Sequence, residues 1–220
     1  MPYVKNRKNL EIITKANVVR IIFSGKKAVG LQYMHQGKKK KIRAHKEVIL
    51  SAGSLMSPTI LQRSGIGASE DIKRHGIELI HELPGVGKNL QDHIDFNFCF
   101  KTNDKNTLGF SPGGFFKILG EMAKWLTHGN SMISSTLSEA GGFLKTDQSL
   151  DRPDIQHHFV IGLIDDHLRK LHYGYGYSCH VCLLRPYSRG TVSLASANYN
   201  DAPLINPNFL TDNRDLDTLI

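Results

Sequence analysis

Residues 51–67 read SAGSLMSPTILQRSGIG, directly after the apolar run Val48–Leu50, and the fold turns on how this stretch is read. Ile42–Leu50 predicts a strand whose end, EVILSAG, shows no alternation, as expected of a strand buried on both faces. Ala52-Gly53 ends it, and glycine there permits a positive φ or the close approach of another backbone or a ligand. Ser57-Pro58 fits an N-cap followed by proline at the first helical position. Ile60, Leu61 and Ser64 share one helical face, and Gly65 suits the residue just past a helix end. A strand, a small-residue turn, a short capped helix and a Gly-x-Gly exit make one of two things. One is a well-made corner. The other is a helix N-terminus whose unpaired N–H groups meet an anion such as a pyrophosphate. Spacing alone leaves both open.

Upstream, Leu10–Thr14, Val18–Phe23 and Ala28–His35 are short, rich in Ile and Val, and separated by polar turns. FSGKKAVG predicts a hairpin around Ser24–Lys27, and HQGKKKKI a second one. Residues 1–50 therefore predict a β-meander leading into a buried strand. Downstream, Asp71–His75 predicts a helix stopped by Gly76, and Ile77–His81 a short strand. LPGVGKNLQDH is then a Gly/Pro-rich loop of the kind that carries function, with Asn89, Asp92 and His93 as its polar candidates. Each of the three also has a plain turn-making role.

Beyond residue 93 the pattern changes. Ile94–Lys101 alternates as a strand, and Phe115–Thr127 reads as an amphipathic helix. STLSEAGGFLKT, PDIQHHFVIGLI, YSCHVCLLRP and GTVSLAS read as strands, with Asp165–Gly176 a long polar connection. The expected class is mixed α/β and α+β: residues 1–92 form one domain, and residues 93–220 an antiparallel sheet covered on one face by a helix.

The 220 residues suffice for a sizeable core, and 40% hydrophobic with 22% charged residues is ordinary for a soluble globular chain. No apolar run approaches the roughly 18–20 residues that span a bilayer. The basic start, MPYVKNRKNLEIIT, has no apolar segment behind it and is not a secretory signal. Three cysteines, Cys99, Cys179 and Cys182, are too few for a disulfide scaffold and favour a reducing cytoplasm. The net charge of +8 fits a solvated face, a surface for nucleic acid or anionic lipid, or a segment balanced by charge elsewhere. The one dense basic run, Lys38–Lys41, has no interleaved aromatics such as a single-strand binder would use, so no nucleic acid is expected.

The sharper motifs are incomplete. GIGASE and GVGKNL begin Gly-x-Gly but lack the third glycine of the dinucleotide-binding turn. Cys179 and Cys182 have the spacing of a zinc or redox pair. However, residues three apart on a strand face opposite ways and no second ligand pair lies near, so ordinary thiols and no metal are expected. His157 and His158, being adjacent, also face opposite ways.

The pattern Gly53-Ser54-x-x-Ser57-Pro58-x-Ile60-Leu61-x-x-Ser64-Gly65-Ile66-Gly67 resembles the second signature of the glucose–methanol–choline (GMC) oxidoreductases at every specified position. NLEIITKANVVRIIF, KKAVGLQY and LPGVGKNLQDH resemble the segments around that signature. EAGGFL, PDIQHHF, LLRPYSRGTVSL and APLINPNFL resemble the family's substrate domain, closest to its bacterial choline and alcohol dehydrogenase branch. The resemblance implies a flavoprotein that binds FAD and oxidises a small alcohol to an aldehyde. Residues 1–92 would be part of the FAD-binding domain and residues 93–220 the substrate domain. Cofactor contacts would come from Val18 at the adenine end, from Ala52 and Gly53, and from Asn89, Asp92 and His93 in the loop near the flavin.

The sequence departs from the family in two ways. It contains no Gly-x-Gly-x-x-Gly turn, and none of its 11 histidines matches the family's catalytic position, so no catalytic residue is assigned. The resemblance thus predicts the middle of a longer enzyme, inactive by itself, from a parent for which association with membranes is open. The competing expectations are a non-catalytic module that binds an anionic partner through the basic hairpin, and a truncated gene product.

Overall fold

The computed structural model describes residues 7–166, 169–170 and 172–220. Residues 1–6 of the basic start, and His167, Leu168 and Leu171 of the long connection, lie outside the described residues. Two compact units are present. One holds the chain up to Gln91 together with Arg189–Asn208; the other holds Asp92–Ser188 and Phe209–Ile220. The units divide between residues 91 and 92, and residues 189–208 pack with the first unit.

The first unit opens with strands β1 (Ala16–Ser24), β2 (Lys27–His35) and β3 (Lys38–Arg43), an antiparallel meander in that order. Both connections are two-residue hairpin turns, with left-handed φ at Gly25 in the first and at Gln36 and Gly37 in the second. Two expected strands are absent. Leu10–Thr14 is irregular, and β3 stops at Arg43 instead of running on as a buried strand to Leu50; Ile49 is 78% exposed. In both cases no neighbouring strand among the described residues offers N–H and C=O partners, and an apolar run without a partner cannot become a strand.

Helix α1 (Gly53–Arg63) starts five residues earlier than expected, so Pro58 lies inside it. Ser57 does not cap the helix. Its Oγ accepts the Ala52 N–H at 3.0 Å and closes the first turn backwards. Pro58 then removes only the bond to the carbonyl of Ser54, an exposed residue. The buried side of α1 carries Thr59, Ile60, Gln62 and Arg63, and it packs on β1. Ser64, at the helix end, accepts the Ile21 N–H at 2.8 Å, and Arg63 Nε donates to the Val19 carbonyl at 3.1 Å. Burial pushes the Arg63 guanidinium down from its ordinary pKa.

After α1, β4 (Ile66–Gly67) pairs in parallel with β5 (His81–Glu82), and α2 (Ser69–Arg74) lies between them with Ile72 fully buried. The strand expected over Ile77–His81 is therefore shorter and later, because only two residues of β4 are there to pair with it.

The second unit is built on an antiparallel sheet. Its strands are β6 (Ile94–Thr102), β7 (Gly109–Phe110), β8 (Ser138–Leu144), β9 (Ile155–Val160) and β10 (Gly174–Leu183), in the order β6-β10-β9-β8 with β7 also on β10. Ile155, Val160, Cys182 and Leu183 form its core. Ser178, on β10, is fully buried; its Oγ donates to the Gly162 carbonyl at 2.7 Å and accepts the Ile164 N–H at 2.9 Å. Helix α3 (Pro112–His128) has proline at its first position, and Gly129 just past its end at φ +73°. It lies against β7 and a short 3-10 turn, Met132–Ser134, and Gly114 is its only buried residue. Ser111 Oγ accepts the Gly114 N–H at 3.0 Å. Ser111→Ala is expected to lower the stability of the second unit by about 1 kcal/mol, measured as a shift in the urea midpoint with an unchanged slope.

The chain then returns to the first unit through β11 (Thr191–Ser193) and β12 (Leu204–Asn206), an antiparallel pair, and β11 packs on α1. GTVSLAS is thus a strand, but it does not join the β6–β10 sheet. The last element, α4 (Asn213–Leu219), belongs to the second unit. Among the described residues no helix is long and apolar enough to cross a membrane.

Candidate functional site

The first unit brings three separate stretches to one depression of about 360 Å³: Ser54 and Pro58 of α1, residues 87–91 of the loop, and Val192 of β11. The loop is fastened by backbone. Leu90 and Gly190 exchange two hydrogen bonds at 3.0 and 2.8 Å, and the Val192 N–H donates to the Gly87 carbonyl at 2.7 Å. Gly87 has φ +80°, and a Cβ there would stand 2.1 Å from the Val192 carbonyl oxygen, so only glycine lets the loop lie this close to β11. From below, Gln62 Nε2 donates to the Val192 carbonyl at 3.1 Å and ties α1 to the same strand.

One wall of the depression is the start of α1. Ala52 precedes the helix without a side-chain cap, and no acidic residue occupies the first turn. The first N–H groups of an α-helix have no partner inside it, so this end attracts anionic and carbonyl oxygens. Gly53 holds φ +80° with nothing within 4 Å of where a Cβ would be. Lys88, on the loop, adds a cation to the lining of the depression.

Of the residues expected to touch a cofactor, Asn89 lines this depression, in a left-handed conformation with φ +62°. Ala52 and Gly53 form the adjoining helix start. Val18 is half-buried on β1 opposite Tyr33 and is not part of the depression. Asp92 and His93 belong to the second unit, both exposed, with Asp92 Oδ1 accepting the His93 N–H at 2.9 Å. Sequence reasoning missed Ser54, Lys88 and Val192. The first two adjoin residues it did single out, whereas nothing local marks Val192.

Among the described residues no group of three or more His, Cys, Asp or Glu side chains is arranged to ligate an ion. Burial, reinforced by Asp95 at 3.4 Å, pushes the Cys182 thiol up to about 11, so it stays protonated and inert. Cys179 lies 3.9 Å from His157 Nδ1 instead. On the same sheet His180 Nδ1 and Asp95 Oδ2 are paired at 2.6 Å, and His158 stands opposite His180 in the register.

Residues 1–95 match the family model described as GMC oxidoreductase. Over 219 residues, 99% of the chain, it is 40% identical to an alcohol dehydrogenase [acceptor] of Pseudomonas putida and covers 40% of that protein. Over 96% of its length it is 36% identical to an oxygen-dependent choline dehydrogenase of Chromohalobacter salexigens, covering 38% of it. Among solved structures, the formate oxidase of Aspergillus oryzae, described in connection with FAD modification, superimposes with a TM-score of 0.86 at 26% identity, over 99% of this chain and 43% of that one. The chain spans about two fifths of the length of the curated relatives it matches.

Proposed function

We propose that this chain, whose residues 1–95 belong to the GMC oxidoreductases, works within an FAD-dependent oxidoreductase acting on CH–OH groups. The observation that carries the reading is the uncapped start of α1, with Gly53 open to close approach, beside the fastened loop that presents Lys88 and Asn89. An extended dinucleotide is longer than the depression, so these residues would hold one section of it. The first-turn N–H groups of α1 and Lys88 suit its oxygens. Ala52, Asn89 and, at the adenine end, Val18 would complete the contacts from the first unit, and Asp92 and His93, next along the chain, are proposed as further cofactor contacts. Bound FAD would supply the hydride acceptor for oxidation of an alcohol; the protein's part would be to hold and orient it and to set the local electrostatics.

The names of the relatives support an alcohol as the substrate, choline among the candidates. The three free cysteines support a reducing compartment such as the cytoplasm.

Titration of the 220-residue chain into FAD is expected to quench flavin fluorescence weakly but saturably, and Gly53→Val, which fills the open space and strains a left-handed φ, is expected to remove the quenching. The chain alone is expected to show no alcohol-dependent reduction of a dye acceptor, since none of its 11 histidines matches the family's proton acceptor. Undiminished quenching by Gly53→Val, no quenching by the unaltered chain, or robust turnover by the chain alone would each overturn this reading.

A further inference from the structure

The positive charge of this protein is not spread over it. Residues 12–46 contain ten of the 28 Lys and Arg and none of the 20 Asp and Glu. The remaining 18 Lys and Arg against 20 Asp and Glu leave a net −2 on the other 185 residues, so the whole of the +8 comes from the β1-β2-β3 meander and its flanks. β3 concentrates it. All six of its residues, KKKKIR, are exposed, and β3 is an edge strand, paired only with β2. Successive side chains alternate, so Lys38, Lys40 and Ile42 occupy one face and Lys39, Lys41 and Arg43 the other. Among the described residues no carboxylate forms an ion pair with any of these cations.

Protecting an edge strand from pairing with another chain explains a lysine or two. It does not explain the absence of acids from three strands and both turns, while acids are in excess elsewhere. Solvated surfaces normally mix the two signs.

We propose that the β3 edge docks on an anionic lipid bilayer. A six-residue strand presents a row about 20 Å long, and long lysine side chains from both faces of an edge can reach one plane laid against it. Ile42, 44% exposed between Lys41 and Arg43, supplies an aliphatic group for the headgroup layer. Nucleic acid fits less well. Four of the five cations are lysines, point charges without the planar fork that reads base edges. The two rings of the meander, Phe23 and Tyr33, are half-buried and buried, so no ring is free to stack on a base.

The test is co-sedimentation of the full 220-residue chain with phosphatidylcholine vesicles, with and without phosphatidylserine, at low and at high salt. Binding is expected to require phosphatidylserine and to fall steeply with salt. Each cation near such a surface raises the partition coefficient about fivefold, so the combined Lys38→Gln, Lys39→Gln, Lys40→Gln, Lys41→Gln variant is expected to lose at least twentyfold. A control that removes the same charge elsewhere, Lys73→Gln, Lys101→Gln, Lys105→Gln, Lys124→Gln, is expected to lose less than a quarter of that. Circular dichroism checks that both variants fold. Equal binding to neutral vesicles, equal losses in the two variants, or tighter binding to a duplex or single-stranded oligonucleotide than to anionic vesicles at the same salt would each overturn the proposal.

Discussion

Gly65→Ala is expected to destabilise the first unit by about 2–5 kcal/mol, the sum of a backbone and a packing cost. Gly65 closes α1 at φ +85°, where an L side chain costs roughly 1–2 kcal/mol. The added methyl would also lie 2.2 Å from the Glu78 carbonyl oxygen and 2.9 Å from Ile80 Cγ1. Neither can yield cheaply, because the Gly65 carbonyl accepts the Ile80 and His81 N–H groups at 2.8 and 3.2 Å. Moving residues 78–81 away breaks those bonds and unpairs β5 from β4, and forced overpacking of this kind costs roughly 1–3 kcal/mol. Since β5 leads into the loop that carries Lys88 and Asn89, the variant is expected to lose FAD quenching as well as stability. Chemical denaturation followed by far-UV circular dichroism measures the first effect. A midpoint within experimental error of the unaltered chain would show that residues 78–81 slide freely past the turn.

The legible parts of this fold are those decided within a few residues. The two hairpins of the meander were readable because Gly25 and Gly37 supply the left-handed φ that two-residue turns need. The end of α1 was readable because Gly65 does the same past a helix. What was misread depends on partners far along the chain. EVIL looks like a doubly buried strand, yet burial on both faces is a property of neighbours, and Ile49 is largely exposed. Ser57-Pro58 looks like a helix start because a serine hydroxyl can serve either the N–H groups after it or one before it. Here it took the Ala52 N–H, and the helix began at Gly53.

The candidate site divides the same way. Asn89 was legible from the Gly/Pro-rich loop around it, and Gly53 from its place after the apolar run. The wall made by Val192 was not, because it depends on Gln62 bonding across 130 residues of sequence and on Gly87 meeting a carbonyl of β11. No periodicity or turn signal encodes that meeting. The fifteen-residue pattern from Gly53 to Gly67 located the region only because its small residues answer to local backbone demands: Gly53 to a left-handed φ, Ser64 to the Ile21 N–H, Gly65 to the close approach of Glu78.

Asp215→Ala is expected to cost the second unit about 3–5 kcal/mol. Asp215, on α4, is fully buried, and its carboxylate accepts the Tyr187 N–H at 2.6 Å and the Ser188 N–H at 2.9 Å. Alanine would leave these donors without that acceptor inside the protein, at roughly 1–3 kcal/mol for each one unsatisfied, and α4 would lose its polar anchor to the chain leaving β10. The same carboxylate makes the unit sensitive to acid. Burial by itself raises its pKa, but hydrogen bonds from the Ser188 side chain and from the Tyr187 and Ser188 N–H groups outweigh it, and the net shift is downward. A group whose pKa is lowered on folding binds protons more readily when unfolded, so its contribution is fully present above the unfolded value, about 3.9 for Asp. That contribution is lost as pH falls through the folded value. Between neutrality and pH 5 the unaltered chain should therefore keep its Asp215 contribution. Below pH 4 it should lose stability more steeply than Asp215→Ala, so that the difference between the two narrows. Denaturant midpoints at a series of pH values give that difference directly. A gap that stays constant down to the acid limit would mean that the buried carboxylate is not what holds α4 in place.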